Sequence, residues 1–371
     1  MSSAQYVIIG AGFAGAATAY HLARSGASGI VILEQEGIAG VHSSGRNASM
    51  VRQVISEPSI AALAQEGAAF LRNLPADWPV PVNFAQNGSL LLGHGDAWEG
   101  LIRDAERARQ RGIEAQCWSR QRAQEYVGIL KGADFDGAVW CPKDGVVDIH
   151  ALLSGYLKAA ISLGTATRYK SPVRGIDVEN SRVTGVVTGD GRIVTETVID
   201  AAGAWAGLIG EMAGALEVPL RPCRRHLFVT PPLSWVDRNW PFVWHVSHDI
   251  YFRPESGGLL LCPCDQDEMA PGIPPIDDSM VELLAEKVKR HLPEISNIPI
   301  KRCWAGLRTL SADGRFVIGW DPKIRGFFWL AGLGGHGVTT SSAIGALAAR
   351  LILNRDEKTA DDFSPERFKA N

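Results

Sequence analysis

Tyr6-Val7-Ile8-Ile9 is a short apolar run that stops at Gly10-Ala11-Gly12-Phe13-Ala14-Gly15, and no other feature constrains the fold of this chain as much. A GxGxxG alone is a weak signal among 40 glycines. Here it follows a strand-like run, opens a helical stretch from Ala14 to Arg24 that closes at Gly26, and precedes a second buried strand, Ile30 to Glu34. Strand, glycine turn, helix and strand within roughly thirty residues predict the start of a parallel, doubly wound sheet. Gly10 permits the turn, Gly12 lets the backbone approach a pyrophosphate, and Gly15 lets helix and strand pack closely. Phosphates would meet the unpaired N–H groups around Phe13 and Ala14 at the positive helix end. Glu34, with Gln35 beside it, is placed for the adenosine ribose hydroxyls.

A chain of 371 residues points to about two domains, each able to bury a core. Its 21% charged residues and net charge of -3 offer no basic field for nucleic acid. The cysteines at 117, 141, 223, 262, 264 and 303 contain no CxxC, which leaves a zinc site or a thioredoxin-like motif unsupported. Alternation from Leu259 would put Cys262 and Cys264 on one strand face as small core residues. The first Arg is Arg24 and glycines interrupt the N-terminal apolar run, so neither a signal peptide nor a transmembrane segment is expected. The cytoplasm is the expected compartment, with peripheral association at the inner face of the membrane as the variant.

Helices are expected at Ile60 to Leu74, Ala97 to Arg111, Ile149 to Leu163, Asp278 to His291 and Val338 to Leu353. Strands are expected at Gly88 to Leu92, Val173 to Val178, Arg182 to Thr188, Arg192 to Ile199, Phe242 to Val246, Asp249 to Arg253, Gly258 to Leu261 and Phe327 to Ala331. The fold class that follows is α/β: a Rossmann-like dinucleotide domain assembled from 1–80, 146–220 and 312–371. An α+β substrate domain with a mainly antiparallel sheet is expected from 81–145 and 221–311.

The fingerprint does not separate NAD from FAD, but later segments favour FAD. His42-Ser43-Ser44-Gly45-Arg46-Asn47-Ala48-Ser49 offers hydroxyls, an Arg and backbone donors for the flavin-side phosphate and ribitol. Val198 to Trp205 runs into Ala202, Gly203 and Trp205, small enough at its turn for a close cofactor approach. Gly332 to Thr340 contains a second glycine turn at a helix N-terminus, where Gly334, Gly335, His336, Gly337, Val338 and Thr339 could direct N–H donors at the flavin O2 and N1 edge. Val173, opening a strand, completes the expected cofactor set. Arg308 is an isolated cation in an apolar run, Arg224 and Arg225 precede the strand His226 to Thr230, and Tyr251 lies in the strand Asp249 to Arg253. These are candidates for binding a substrate carboxylate.

The ordered stretches GAGFAGAATAYHLA, HSSGRNAS, VIDAAGAW, CRRH, DIYFRPESG, WAGLRTLSADGRFVIG and GFFWLAGLGGHGVTTSSAIG resemble the D-amino-acid oxidase and sarcosine oxidase superfamily of flavoenzymes. The resemblance spans nearly the whole chain and is strongest to the D-amino-acid dehydrogenase branch typified by D-arginine dehydrogenase. It implies a glutathione-reductase-type FAD domain, and Arg225, Tyr251 and Arg308 clamping a carboxylate so that Cα–H faces flavin N5. Ser311-Ala312-Asp313-Gly314-Arg315 lacks the cysteine that carries a covalent flavin in sarcosine oxidases, so the FAD is expected to be non-covalent. Met50, Ile55 and Ser89 stand where D-arginine dehydrogenase places polar, aromatic and acidic residues around a cationic side chain, which argues against D-arginine.

The leading expectation is oxidative deamination of a small amino acid, a D-amino acid first, to an imino acid that hydrolyses to a 2-keto acid. The alternative is a secondary-amine oxidase or dehydrogenase acting on sarcosine, proline, an opine or glycine, with room for the N-substituent near Phe242, Trp244 and His245. A flavin subunit of an electron-transfer complex is a further alternative. The electron acceptor, whether quinone, soluble acceptor or O2, leaves no motif.

Overall fold

The computed structural model describes residues 2–354 and 361–369. Its organising element is a six-stranded sheet in the order Ala166–Arg168, Ile30–Leu33, Tyr6–Ile9, Val198–Asp200, Phe327–Ala331 and Val317–Trp320. The first five strands are parallel and the last is antiparallel. Tyr6–Ile9 and Ile30–Leu33 are buried throughout, as apolar strands covered on both faces must be. One face carries the helices Phe13–Arg24, Ile149–Ser162 and Ser341–Leu353, which pack around the alanine-rich first helix. Gly15 makes this possible: a Cβ there would stand 2.0 Å from the Gly10 carbonyl oxygen.

A second sheet of eight strands runs Arg302–Ser311, Leu220–Val229, Gly258–Cys262, Ile250–Glu255, Phe242–His245, Ser89–Gly93, Gly137–Cys141, Gln116–Ser119. All neighbours are antiparallel except Phe242–His245 with Ser89–Gly93. The helix Ser279–His291 closes over it through Leu284 and Val288. The chain is therefore α/β, with a Rossmann-like sheet and a mainly antiparallel partner. Among the described residues no helix is long and apolar enough to cross a membrane.

Several expected elements change. The strand expected over Arg192 to Ile199 is two strands in two sheets, Gly191–Val194 and Val198–Asp200. Between them the Thr195 hydroxyl donates to the Thr197 carbonyl at 3.1 Å and accepts the Thr197 N–H at 3.2 Å. That local turn takes the place of ladder bonds and redirects the chain. The final helix begins at Ser341, not Val338. Cys262 ends its strand, but Cys264 lies beyond it with φ +57°, its N–H on the Cys262 sulfur at 3.3 Å, so strand alternation does not govern the pair.

Candidate active site

One continuous cleft runs from Glu34 and the first glycine turn, past the second glycine turn, to Arg225 and Tyr251. Its adenosine-side end is built by the fingerprint. Glu34 is buried, and its carboxylate accepts the N–H of Ala11 and of Glu36, each at 2.9 Å. Each oxygen keeps a lone pair for a ribose hydroxyl. The Phe13 N–H donates to Ser44 Oγ at 3.0 Å, which sets a hydroxyl at the N-terminus of the first helix. A Cβ on Gly12 would come 2.8 Å from that oxygen, so only glycine leaves the space open.

The segment from His42 to Ser49 lines the cleft but divides its labour. The Ser43 hydroxyl donates to the Leu307 carbonyl at 2.6 Å, and Arg46 Nε donates to the Val41 carbonyl at 2.8 Å. Asn47 Nδ2 donates to the Ser44 carbonyl at 2.8 Å, and its Oδ1 accepts the Ser49 N–H at 2.8 Å. His42 is bonded to Glu36 at 2.9 Å and packs on Trp205 with ring centroids 4.5 Å apart. Arg253 Nε donates to the Ala48 carbonyl at 2.7 Å. The side chains of Arg46 and Asn47 thus shape the loop, and Ser44 faces the helix N-terminus. Gln35, Val173, Ala202 and Gly203 also lie along the wall.

The second glycine turn brings Gly334, Gly335, Gly337 and Val338 to the cleft. Gly334 N–H is used by the Thr309 carbonyl at 2.9 Å and His336 N–H by Leu333. Among the described residues the N–H groups of Gly335, Gly337, Val338 and Thr339 have no acceptor. This is why the helix begins three residues late: its preceding turn leaves N–H groups facing the cleft instead of closing α-helical bonds. Gly15, His336 and Thr339 are not among the residues that line the cleft. Gly15 serves packing, and the Thr339 hydroxyl donates to the Met50 carbonyl at 3.3 Å. Burial, reinforced by Arg52 and Arg308, pulls His336 down to about 3, so its imidazole is neutral.

These features fit a long dinucleotide: an acidic residue at one end, glycine openings no Cβ would permit, and two sets of N–H groups without an acceptor among the described residues, those of Gly12 and Ala14 and those of the second glycine turn. Gly10, Gly12, Phe13, Ala14, Glu34, Ser44 and the Gly335 to Thr339 turn would hold it.

The far end of the cleft is cationic. Strand alternation separates two adjacent arginines. Arg224 turns to Asp267 and Asp277, each at 2.8 Å, whereas Arg225 lines the cleft. Arg225 Nη2 donates to Gln266 Oε1 at 3.2 Å, but its Nε and Nη1 are buried without a partner, as is the Tyr251 hydroxyl. Burial pushes that phenol well above its ordinary range, so it remains a donor. Arg308 lies against the second glycine turn, its Nη1 3.2 Å from where a Gly335 Cβ would be. The sequence reading missed Arg52, which lies over the Trp244 indole at 4.4 Å from the ring centroid. Burial, opposed by Asp144 and reinforced by Arg308, pulls its guanidinium down to about 10. Of the three residues expected around an N-substituent, Trp244 packs on Tyr251, while His245 turns away and bonds the Asp134 carbonyl at 2.7 Å and Phe242 sits in a separate core.

Buried ionisable groups set an acid limit on stability. Burial lowers His21 and His245 to about 4 and His336 to about 3. The unfolded chain binds protons that the folded chain refuses, so these groups contribute stability above about pH 6.5 that is lost as pH falls towards 4. Asp144, raised by burial to about 6, works in the opposite sense, since acid relieves its buried charge. Asp200, fully buried and raised well above the ordinary carboxylate range, acts as Asp144 does, while burial also lowers His248 and His291. Five imidazoles against two carboxylates predict a Tm that is lower at pH 5 than at pH 7.5. Differential scanning calorimetry checks this, and a Tm that is level or higher at pH 5 contradicts it.

Comparison with known proteins agrees with this geometry. The human (Homo sapiens) mitochondrial sarcosine dehydrogenase is 27% identical over 387 residues, covering 99% of this chain and 42% of that protein. The chain therefore spans about two fifths of that relative's length. The sarcosine oxidase subunit beta of Rhizobium meliloti (strain 1021) is 28% identical, covering 98% of this chain and 88% of the relative. The crystal structure of L-proline dehydrogenase from P.horikoshii has the same fold, with a TM-score of 0.89, 24% identity and coverage of 99% and 98% of the two chains. The sequence profile of the DAO family, FAD dependent oxidoreductases, matches residues 5–351, and with FAD as its cofactor this chain belongs to that family.

Proposed function

We propose that the chain oxidises a small amine bearing a carboxylate, with N-substituted or cyclic amines of the sarcosine and proline kind, or glycine, ahead of D-amino acids. The observation that carries this reading is the convergence of Arg225, Arg308 and the Tyr251 hydroxyl at the end of the cleft that also presents the second glycine turn. Relatives named for sarcosine shift the emphasis away from the D-amino acid that the sequence motifs first suggested.

Arg225 and Arg308 would hold the carboxylate through charge-assisted hydrogen bonds, with the Tyr251 hydroxyl as a third donor. Fixing the carboxylate fixes the carbon beside the nitrogen, which is the positioning the reaction requires. Bound FAD supplies the acceptor for a hydride equivalent from that carbon, and the imine product hydrolyses in water. The unpaired N–H groups of Gly337, Val338 and Thr339 would stabilise negative charge at the cofactor edge they face.

Turnover of matched pairs with an artificial electron acceptor tests the reading: glycine against sarcosine, and D-alanine against N-methyl-D-alanine, with L-proline alongside. A methyl group that fits its pocket changes kcat/KM by about tenfold or more. The proposal expects sarcosine, proline or glycine to exceed D-alanine by at least that factor. D-alanine as the best substrate would overturn it.

A further inference from the structure

Arg225 and Arg308 suffice for one carboxylate, yet a third cation stands beside them. Among the described residues none of Arg52, Arg225 and Arg308 forms an ion pair, and the only side-chain hydrogen bond to the three is the neutral one from Arg225 to Gln266. Arg52 lies on the Trp244 indole at 4.4 Å, and Trp244 packs on Tyr251 with ring centroids 5.3 Å apart. Arg52 thus stands one aromatic ring beyond the clamp, coupled through space to Arg308 and His336. Trp244 Nε1 is a buried donor with no acceptor, like the Tyr251 hydroxyl.

The carboxylate that feels Arg52, Asp144, is committed elsewhere: Gln53 Nε2 donates to it at 2.8 Å and the Ser89 hydroxyl at 2.7 Å. Arg225 is buried and Arg52 and Arg308 are half-buried, and with no carboxylate in direct contact with any of the three among the described residues, an arriving anion would complete the arrangement. A single carboxylate can complete the Arg225 and Arg308 pair but leaves Arg52 and the Trp244 indole N–H unmatched.

We propose that Arg52 and Trp244 Nε1 form a second anion subsite, and that the substrate is an amine bearing two carboxylates. The first carboxylate is held by Arg225, Arg308 and Tyr251, a clamp taken from the function proposed above. The second lies on the substrate's side chain or on its nitrogen substituent, and Arg52 reads it.

Isothermal titration calorimetry of the FAD-loaded protein with unreactive acids tests this without turnover: acetate against malonate, propionate against succinate, butyrate against glutarate. One dicarboxylate is expected to bind about 30-fold more tightly than its monocarboxylate partner, the scale of one added charge-assisted hydrogen-bonded pair. In Arg52→Met that advantage should fall to about threefold or less, while Arg52→Lys, which keeps the charge, should retain part of it. Equal binding of mono- and dicarboxylates by the native protein overturns the proposal, as does an Arg52→Met variant that weakens both members of a pair alike. Anaerobic reduction then locates the second carboxylate: aspartate or glutamate as the better reductant puts it on the side chain, and iminodiacetate puts it on the nitrogen. Sarcosine reducing the cofactor more efficiently than any of these overturns the proposal too. Tighter dicarboxylate binding without reduction by any amine would leave the subsite standing and remove the amine-oxidation reading alone.

Discussion

Replacing Arg308 by Met is expected to lower kcat/KM for the carboxylate-bearing amine by about two to three orders of magnitude while FAD stays bound and Tm does not fall. The guanidinium lines the cleft, forms no ion pair among the described residues and lies against the Gly335 turn. Truncating one member of a buried charge-assisted pair costs about 2–5 kcal/mol of binding, and each ~1.4 kcal/mol is tenfold. In the free protein, however, Arg308 is a partly buried cation without a counter-ion, so removing it takes away a desolvated charge and not a stabilising pair. Functional loss without loss of stability is therefore the signature. Arg308→Lys should fall between the two, because an ammonium keeps the charge and loses the planar fork. Steady-state kinetics alongside thermal unfolding checks both halves. A variant with unchanged kcat/KM would remove Arg308 from the clamp, and one with a collapsed Tm would make it structural.

Gly15→Val is expected to abolish FAD binding by preventing the fold, whereas Gly12→Ala should fold and bind FAD poorly. At Gly15 a Cβ would meet the Gly10 carbonyl oxygen at 2.0 Å and Ile8 Cγ2 at 3.1 Å, and a backbone oxygen at the end of a central strand cannot step aside. A clash of that kind costs more than about 4 kcal/mol, against a total stability of about 5–15 kcal/mol. At Gly12 the nearest atom is Ser44 Oγ at 2.8 Å, a side chain that can rotate away. The methyl group then occupies the space above the helix N-terminus that the dinucleotide phosphates need. Soluble yield, Tm and the ratio of flavin to protein absorbance separate the two cases. Gly12→Ala with full FAD occupancy would place the phosphates elsewhere.

The parts of this structure that were legible in the sequence are those encoded locally. The strand, glycine turn, helix and strand at residues 6–34 read correctly because the backbone geometry of each glycine is a property of a few adjacent residues. The second glycine turn was legible for the same reason, although its helix begins at Ser341 because the turn leaves its N–H groups unpaired. Sequence could nominate Arg224 and Arg225 but not choose between them. The choice depends on which strand face meets the cleft, and the acids that claim Arg224, Asp267 and Asp277, come from a loop 43 and 53 residues away.

Arg52 and Trp244 were illegible as a pair. They are brought together by a two-residue strand, Met50–Val51, and by a strand of the eight-stranded sheet, and neither segment announces the other. The loop from His42 to Ser49 reads as a row of ligands, whereas the side chains of Arg46 and Asn47 are spent on the loop's own conformation. Composition says which groups a loop can offer. Only the folded backbone says which of them remain to be offered.

If one cleft holds both FAD and a carboxylate-bearing amine, an anaerobic absorbance titration of the FAD-loaded protein reports both together. Adding glycine, sarcosine, proline, aspartate, iminodiacetate and a set of D- and L-amino acids in turn should bleach the oxidised flavin bands with at least one of them, and Arg308→Met should need far more of the same compound. A protein that binds no FAD, or whose bound FAD is reduced by none of these amines, contradicts the account.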